Sequence, residues 1–108
     1  MKAASMRALI TGASGGIGRA LAQELRARGA SVLLVGRDGV ALEATATALG
    51  GCSATVTTCV ADLATEAGRV KVLAEARQFG GRGCNVLVNN AGLGDFRMVD
   101  ALDDGAIE

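Results

Sequence analysis

Four glycines fall within the eight residues Thr11, Gly12, Ala13, Ser14, Gly15, Gly16, Ile17 and Gly18, between a short apolar run and a helical repeat. Ala8 to Thr11 reads as a buried strand that stops in a tight turn. From Gly16 the pattern is helical: Ile17, Leu21 and Leu25 recur every four residues with Ala20 beside them, and Gln23, Arg26 and Arg28 lie off that face. The spacing predicts an amphipathic helix to about Arg28, stopped by Gly29 in a left-handed conformation. A strand that becomes a helix through such a turn admits few folds. Gly12 permits a turn that a side chain would block, Gly16 lets backbone approach a pyrophosphate, and Gly18 allows the helix to pack closely on a sheet. The helix start, with Gly15 and Ile17 around it, turns free N–H groups and a partial positive charge toward phosphate, and Ser14 adds a hydroxyl donor. A merely flexible glycine loop is the competing reading, and the flanking strand and helix argue against it. No Gly-Lys-Ser/Thr follows, so the turn is not a P-loop.

The remaining chain repeats the alternation. Ser31 to Val35 is an unbroken β-rich run of the kind covered on both faces in a parallel sheet. A helix from about Val40 to Leu49 closes at Gly50 and Gly51, and Thr55 to Val60 forms a third strand ending near Ala61 and Asp62. A third helix spans roughly Glu66 to Phe79, with Val70, Leu73, Ala74 and the Arg77 stem expected inward. The Gly80 to Gly83 connection then leads to a strand over Asn85 to Val88. The order βαβαβαβ implies an α/β, Rossmann-type parallel sheet with strand order 3-2-1-4, one partial nucleotide-binding domain over residues 1–108. Leu93 to Glu108 turns acidic, with a helix start near Asp103. Nothing in it closes the sheet, so the fourth strand is expected to be a bare edge open to self-association.

Composition removes other chemistries. The 108 residues contain no His, Tyr, Trp or Pro, and Lys2 and Lys71 are the two lysines. Without His there is no Ser/His or Cys/His pair, and Cys52, Cys59 and Cys84 without CxxC spacing do not build a zinc site alone. The cysteines read as reduced core thiols. Eleven basic residues balance eleven acidic ones, which disfavours nucleic acid and anionic membranes as partners. No signal-peptide core or membrane span is present in the sequence, so a soluble cytoplasmic protein is expected.

The TGxxxGxG spacing over Thr11 to Gly18 resembles that of the short-chain dehydrogenase/reductase family. Asn89, Asn90, Ala91 and Gly92, after Val86 to Val88, resemble the family's NNAG motif. Asp62 with Leu63 resembles the Asp-Leu or Asp-Val pair after the third strand. The resemblance implies that Asn89 ties neighbouring strands, that Ala91 and Gly92 border the cofactor, and that the Asp62 carboxylate accepts from the adenine amino group. Read alone, Asp62 is equally a turn or cap residue, and the two amides an ordinary turn.

Cofactor choice turns on the end of the second strand, where an acid would hold the ribose hydroxyls of NAD. Gly36 stands there, and Arg37 offers a planar charged fork suited to a phosphate. The combination favours NADP(H); Asp38 keeps NAD(H) open, and a solvated Arg37 is the plain alternative. The family moves hydride with an Asn, a Ser and a Tyr-x-x-x-Lys pair beyond the NNAG motif, for which this chain has no room, and Lys71 reads as a surface lysine. The resemblance therefore implies the N-terminal, cofactor-binding part of an oxidoreductase acting on a small carbonyl or alcohol, truncated before its catalytic residues and inactive alone. Two alternatives stand beside it: a non-catalytic nucleotide-binding or sensing module, and a truncated product without function.

Overall fold

The computed structural model describes residues 2–90 and the backbone of 97–99. Seven expected elements follow one another as β1 (Arg7–Thr11), α1 (Gly16–Ala27), β2 (Ser31–Gly36), α2 (Gly39–Ala48), β3 (Val56–Val60), α3 (Glu66–Gln78) and β4 (Val86–Asn89). Short 3-10 turns at Ala3–Ser5 and Phe79–Gly81 and a strand β5 (Arg97–Val99) were not legible. β1 lies parallel to β2 from Arg7↔Ser31 to Thr11↔Val35, and to β4 from Ala8↔Val86 to Ile10↔Val88. β2 lies parallel to β3 from Val32↔Val56 to Gly36↔Val60. The sheet order β3-β2-β1-β4-β5 contains the expected 3-2-1-4 arrangement.

The bare fourth edge is corrected. β5 runs antiparallel to β4, pairing Leu87↔Val99, Val88↔Met98 and Asn89↔Arg97. Unpaired N–H and C=O groups on an edge strand accept any segment that can return beside them, and here the chain itself returns. Over those residues β4 has no row left for a second chain, which was the expected route to self-association. The expected helix start near Asp103 lies outside the described residues.

The apolar runs divide by strand alternation. Ala8, Ile10, Val32, Leu34, Val56, Val86 and Val88 join Ala22 and Leu25 of α1 and Leu42 and Ala46 of α2 on one face. Leu9, Leu33, Val35 and Cys59 join Val72, Ala76 and Phe79 on the other. Both faces are covered, which is why β1 and β2 read as continuous apolar runs.

Two helix faces differ from expectation. In α1 the buried residues are Gly18, Ala22 and Leu25, while Ile17 is 48% exposed, Leu21 is half-buried and Ala20 is exposed. In α3 the buried residues are Gly68, Val72 and Ala76, whereas Val70 is 60% exposed, Leu73 half-buried, and Ala74 and Arg77 exposed. Each helix approaches the sheet through a glycine. A Cβ on Gly68 would overlap the Asp62 carbonyl, and one on Gly18 would overlap the Gly12 carbonyl. Close approach at those points rotates each helix so that small side chains, rather than the largest apolar ones, face inward.

Candidate functional site

The strands present their carboxyl ends on one side, and the order switches between β1 and β4, the place where open α/β sheets take ligands. The glycine turn stands there. Gly12 and Gly16 have φ of +62° and +58°, a region that favours glycine. Gly15 is extended at φ −178° and could be another residue on conformational grounds; a Cβ at Gly15 or Gly16 would meet no protein atom within 4 Å. The space beside this backbone is open.

α1 begins at that open space without a side-chain cap and with no acidic residue in its first turn. The other two helices satisfy their own first turns: Asp38 accepts from the N–H groups of Val40 at 3.1 Å and Ala41 at 3.2 Å, and Thr65 Oγ1 accepts from Gly68 N–H at 2.9 Å. A helix start must leave several N–H groups without partners inside the helix, so those of α1 are left for a ligand or for water.

The turn is held from several sides. Ala13 N–H donates to the Val35 carbonyl at 3.2 Å, and its own carbonyl accepts from Thr45 Oγ1 of α2 at 2.9 Å. Just past β4, Asn90 N–H donates to Thr11 Oγ1 at 2.9 Å and Asn90 Nδ2 donates to the Gly12 carbonyl at 3.3 Å. Thr11 Oγ1 lies 3.3 Å from Asn89 Oδ1. Both amides thus link β4 to β1. The family resemblance placed the tie on Asn89 and gave Asn90, named in the same motif, no role; the signal was its position beside the glycine turn across adjacent parallel strands. Asn90 Nδ2 also stands 2.8 Å from where a Gly18 Cβ would be, so Gly18 makes room for the amide as well as for the turn.

A cleft of about 1060 Å³ joins Gly12 and Ser14 to Gly36 and Arg37 and to Asp62 and Leu63, bringing together expected site residues from three strand ends. Arg37 is exposed and has no ion pair or hydrogen bond with the described residues. Asp38 also lines the cleft, with Oδ1 committed to the start of α2. A Cβ at Gly36 would come within 3.2 Å of Leu42 Cδ2, so any side chain at 36 requires Leu42 to give way. Asp62 Oδ1 accepts from Ala64 N–H at 2.9 Å, a turn that fixes the carboxylate at the cleft wall. Val35, Gly39, Val40, Ala61 and Ala64 complete the lining and were not singled out from sequence as site residues.

Asn89 lines a different cavity, a groove of about 650 Å³ on the α3 face with Leu9, Leu63, Leu87, Val70 and Leu73. Ala91 and Gly92 lie outside the described residues. The Lys71 ammonium is exposed and donates to the Val60 carbonyl at 2.7 Å. Burial pushes the Cys84 thiol up to about 12 against a smaller opposing pull from Arg7, and burial raises Cys59 as well. Neither is a ready nucleophile, since the thiolate is the reactive form. No helix of the described residues is long and apolar enough to cross a membrane.

Open backbone beside an uncapped helix, with a cation after β2, is a donor set that fits a dinucleotide's phosphates. Comparison with known proteins agrees. The short chain dehydrogenase family model matches residues 6–108. Galactitol 2-dehydrogenase of Agrobacterium fabrum is 37% identical over 101 residues, which cover 94% of this chain and 38% of that protein. The apo-form glucose dehydrogenase of Caenorhabditis elegans superposes with a TM-score of 0.74 at 40% identity, covering 85% of this chain and 40% of that one. L-sorbose reductase from Gluconobacter frateurii, solved with NADPH and L-sorbose, superposes with a TM-score of 0.71 at 35% identity, covering 94% of this chain and 38% of that one. The chain therefore spans about two fifths of the length of the relatives it matches. Fold, site geometry and family match agree that the chain belongs to the short chain dehydrogenase family.

Proposed function

We propose that this chain binds NADP(H) as the nucleotide-binding part of an oxidoreductase whose complete form moves hydride between a nicotinamide and a small carbonyl or alcohol. The observation that carries the reading is the start of α1, uncapped and without an acid, facing open space at the switch point. There the free N–H groups take the pyrophosphate, with Gly12, Ser14, Gly15, Gly16 and Ile17 around it and Gly18 closing the turn. Asp62 and Leu63 hold the adenine edge, Asn89 braces β4 against β1, and the family resemblance assigns Ala91 and Gly92 to the cofactor site. Arg37 takes the 2′-phosphate. Asp38 Oδ1 accepts from the first turn of its own helix, which draws the carboxylate toward α2 and leaves Arg37 as the group offered to that phosphate. Gly36 leaves out the acid that would favour NAD(H).

The nicotinamide, when bound, supplies or accepts the hydride; this chain orients the dinucleotide. With no tyrosine and no histidine in its sequence, it is proposed to bind without turnover. The free cysteines accord with a reducing compartment, and we place the protein in the cytoplasm. Fluorescence titration of the purified chain tests the reading. Saturable NADPH binding tighter than NADH supports it; a folded chain that binds neither overturns it.

A further inference from the structure

Among the described residues only two polar side chains are buried, Thr11 and Thr45, and both bond to the glycine turn or its flank. Thr45 is fully buried on α2, in the apolar layer with Leu42 and Ala46, 32 residues from the turn in sequence. A hydroxyl in such a layer is costly unless it finds a partner, and a valine would fill the same volume without that need. Its partner is the Ala13 carbonyl at 2.9 Å, itself on a fully buried residue. The consequence lies across the peptide plane. In a trans peptide the C=O and the following N–H point in opposite directions, so drawing the Ala13 carbonyl toward α2 turns the Ser14 N–H away from it. Ser14 lines the cleft, and its N–H has no hydrogen-bond partner among the described residues.

We infer that Thr45 is a positioning residue: its hydroxyl locks the Ala13–Ser14 peptide so that the Ser14 N–H is presented, already oriented, to the pyrophosphate of the dinucleotide. This rests on the nucleotide-binding reading given above and adds to it a residue that touches no ligand. Ser14 and Arg37 line one cleft, and on this inference the Ser14 N–H meets the pyrophosphate while Arg37 meets the 2′-phosphate, so ligands with and without a pyrophosphate respond differently to loss of the lock.

The test compares the unaltered chain with Thr45→Val and Thr45→Ser, using NADPH and 2′-AMP, which carries the 2′-phosphate but no pyrophosphate. Loss of one oriented donor to a charged group predicts NADPH binding weakened about tenfold in Thr45→Val. Thr45→Ser, which keeps the hydroxyl, restores it, and 2′-AMP binds all three alike. Equal NADPH affinity in Thr45→Val, or equal loss of NADPH and 2′-AMP, overturns the inference. Should Thr45→Val fail to fold, the unaltered chain decides: on adding inorganic pyrophosphate the Ser14 amide proton must shift, and an unmoved Ser14 resonance in a chain whose other turn amides respond overturns it. Failure of the unaltered chain to bind NADPH would instead fail the nucleotide-binding reading itself.

Discussion

Arg37 follows a glycine at the end of β2, and the pair divides the cofactor question between a missing acid and a present cation. Replacing Arg37 by Ala should weaken NADPH about tenfold while leaving NADH unchanged, because on the proposed reading only the extra phosphate meets the guanidinium. Equal affinities in the parent chain, unmoved by the substitution, would remove Arg37 from the site. Asp38→Ala separates the other half of the question. Loss of an N-cap should cost about 1 kcal/mol in denaturant unfolding and leave the proposed preference for NADPH intact. Reversal of that preference would show that the carboxylate reads the cofactor. At the thiols, exposed Cys52 should react quickly with a disulfide reagent, and buried Cys59 and Cys84 only on unfolding. Cys84 also ties stability to alkaline pH. Its thiol stays protonated in the folded chain up to about 12, whereas a free thiol ionises near 9.0. Its contribution is complete below the lower value and is lost as pH rises toward the higher one. Stability measured across that window should fall in the parent and fall less in Cys84→Ala; equal slopes would contradict the burial of this thiol. These residues were legible because each is a type in a telling place. Asn90 was not, since its role depends on β4 lying beside β1, a fact of register rather than of local sequence.

The helices show where periodicity misleads. Val70 was expected inward in α3, yet Val72 holds the buried position. Truncating Val72 to Ala should cost about 2 kcal/mol, and Val70 to Ala less than about 0.5 kcal/mol, in equilibrium unfolding. Similar costs at both would contradict the packing described. The apolar character of Val70 and Leu73 nonetheless has a structural correlate: both line the groove with Leu9, Leu63 and Leu87 on the α3 face. A reading by apolar content found that stripe and missed the one that touches the core, because Gly68 and Ala76 carry little hydrophobic weight. Their value is closeness. Gly68→Ala places a methyl against the Asp62 carbonyl and should destabilise by about 1–3 kcal/mol, whereas Gly15→Ala, with open space beside it, should stay within about 0.5 kcal/mol. Comparable losses in the two variants would refute the distinction between a packing glycine and an open one.

Across the whole chain, the parallel sheet was legible because β1 and β2 are buried on both faces and the connecting helices close at glycines, each a local signal with one physical cause. β5 was not. Arg97 to Val99 is too short to announce a strand, and what makes it one is the unpaired side of β4. The cleft assembles residues from β1, β2 and β3 whose separations in sequence exceed any local motif, so its membership followed from strand order while its lining at Gly39, Val40 and Ala61 did not. The central claim is that these residues form a working nucleotide site within this chain. Thermal unfolding with and without saturating NADPH tests it most directly, because a ligand that binds only the folded form must raise its stability. At 100 times the dissociation constant the gain is about 2.7 kcal/mol, a rise on the order of 10 °C for a domain of this size, larger than for NADH at the same concentration. A cooperative transition that NADPH leaves unmoved would contradict the claim.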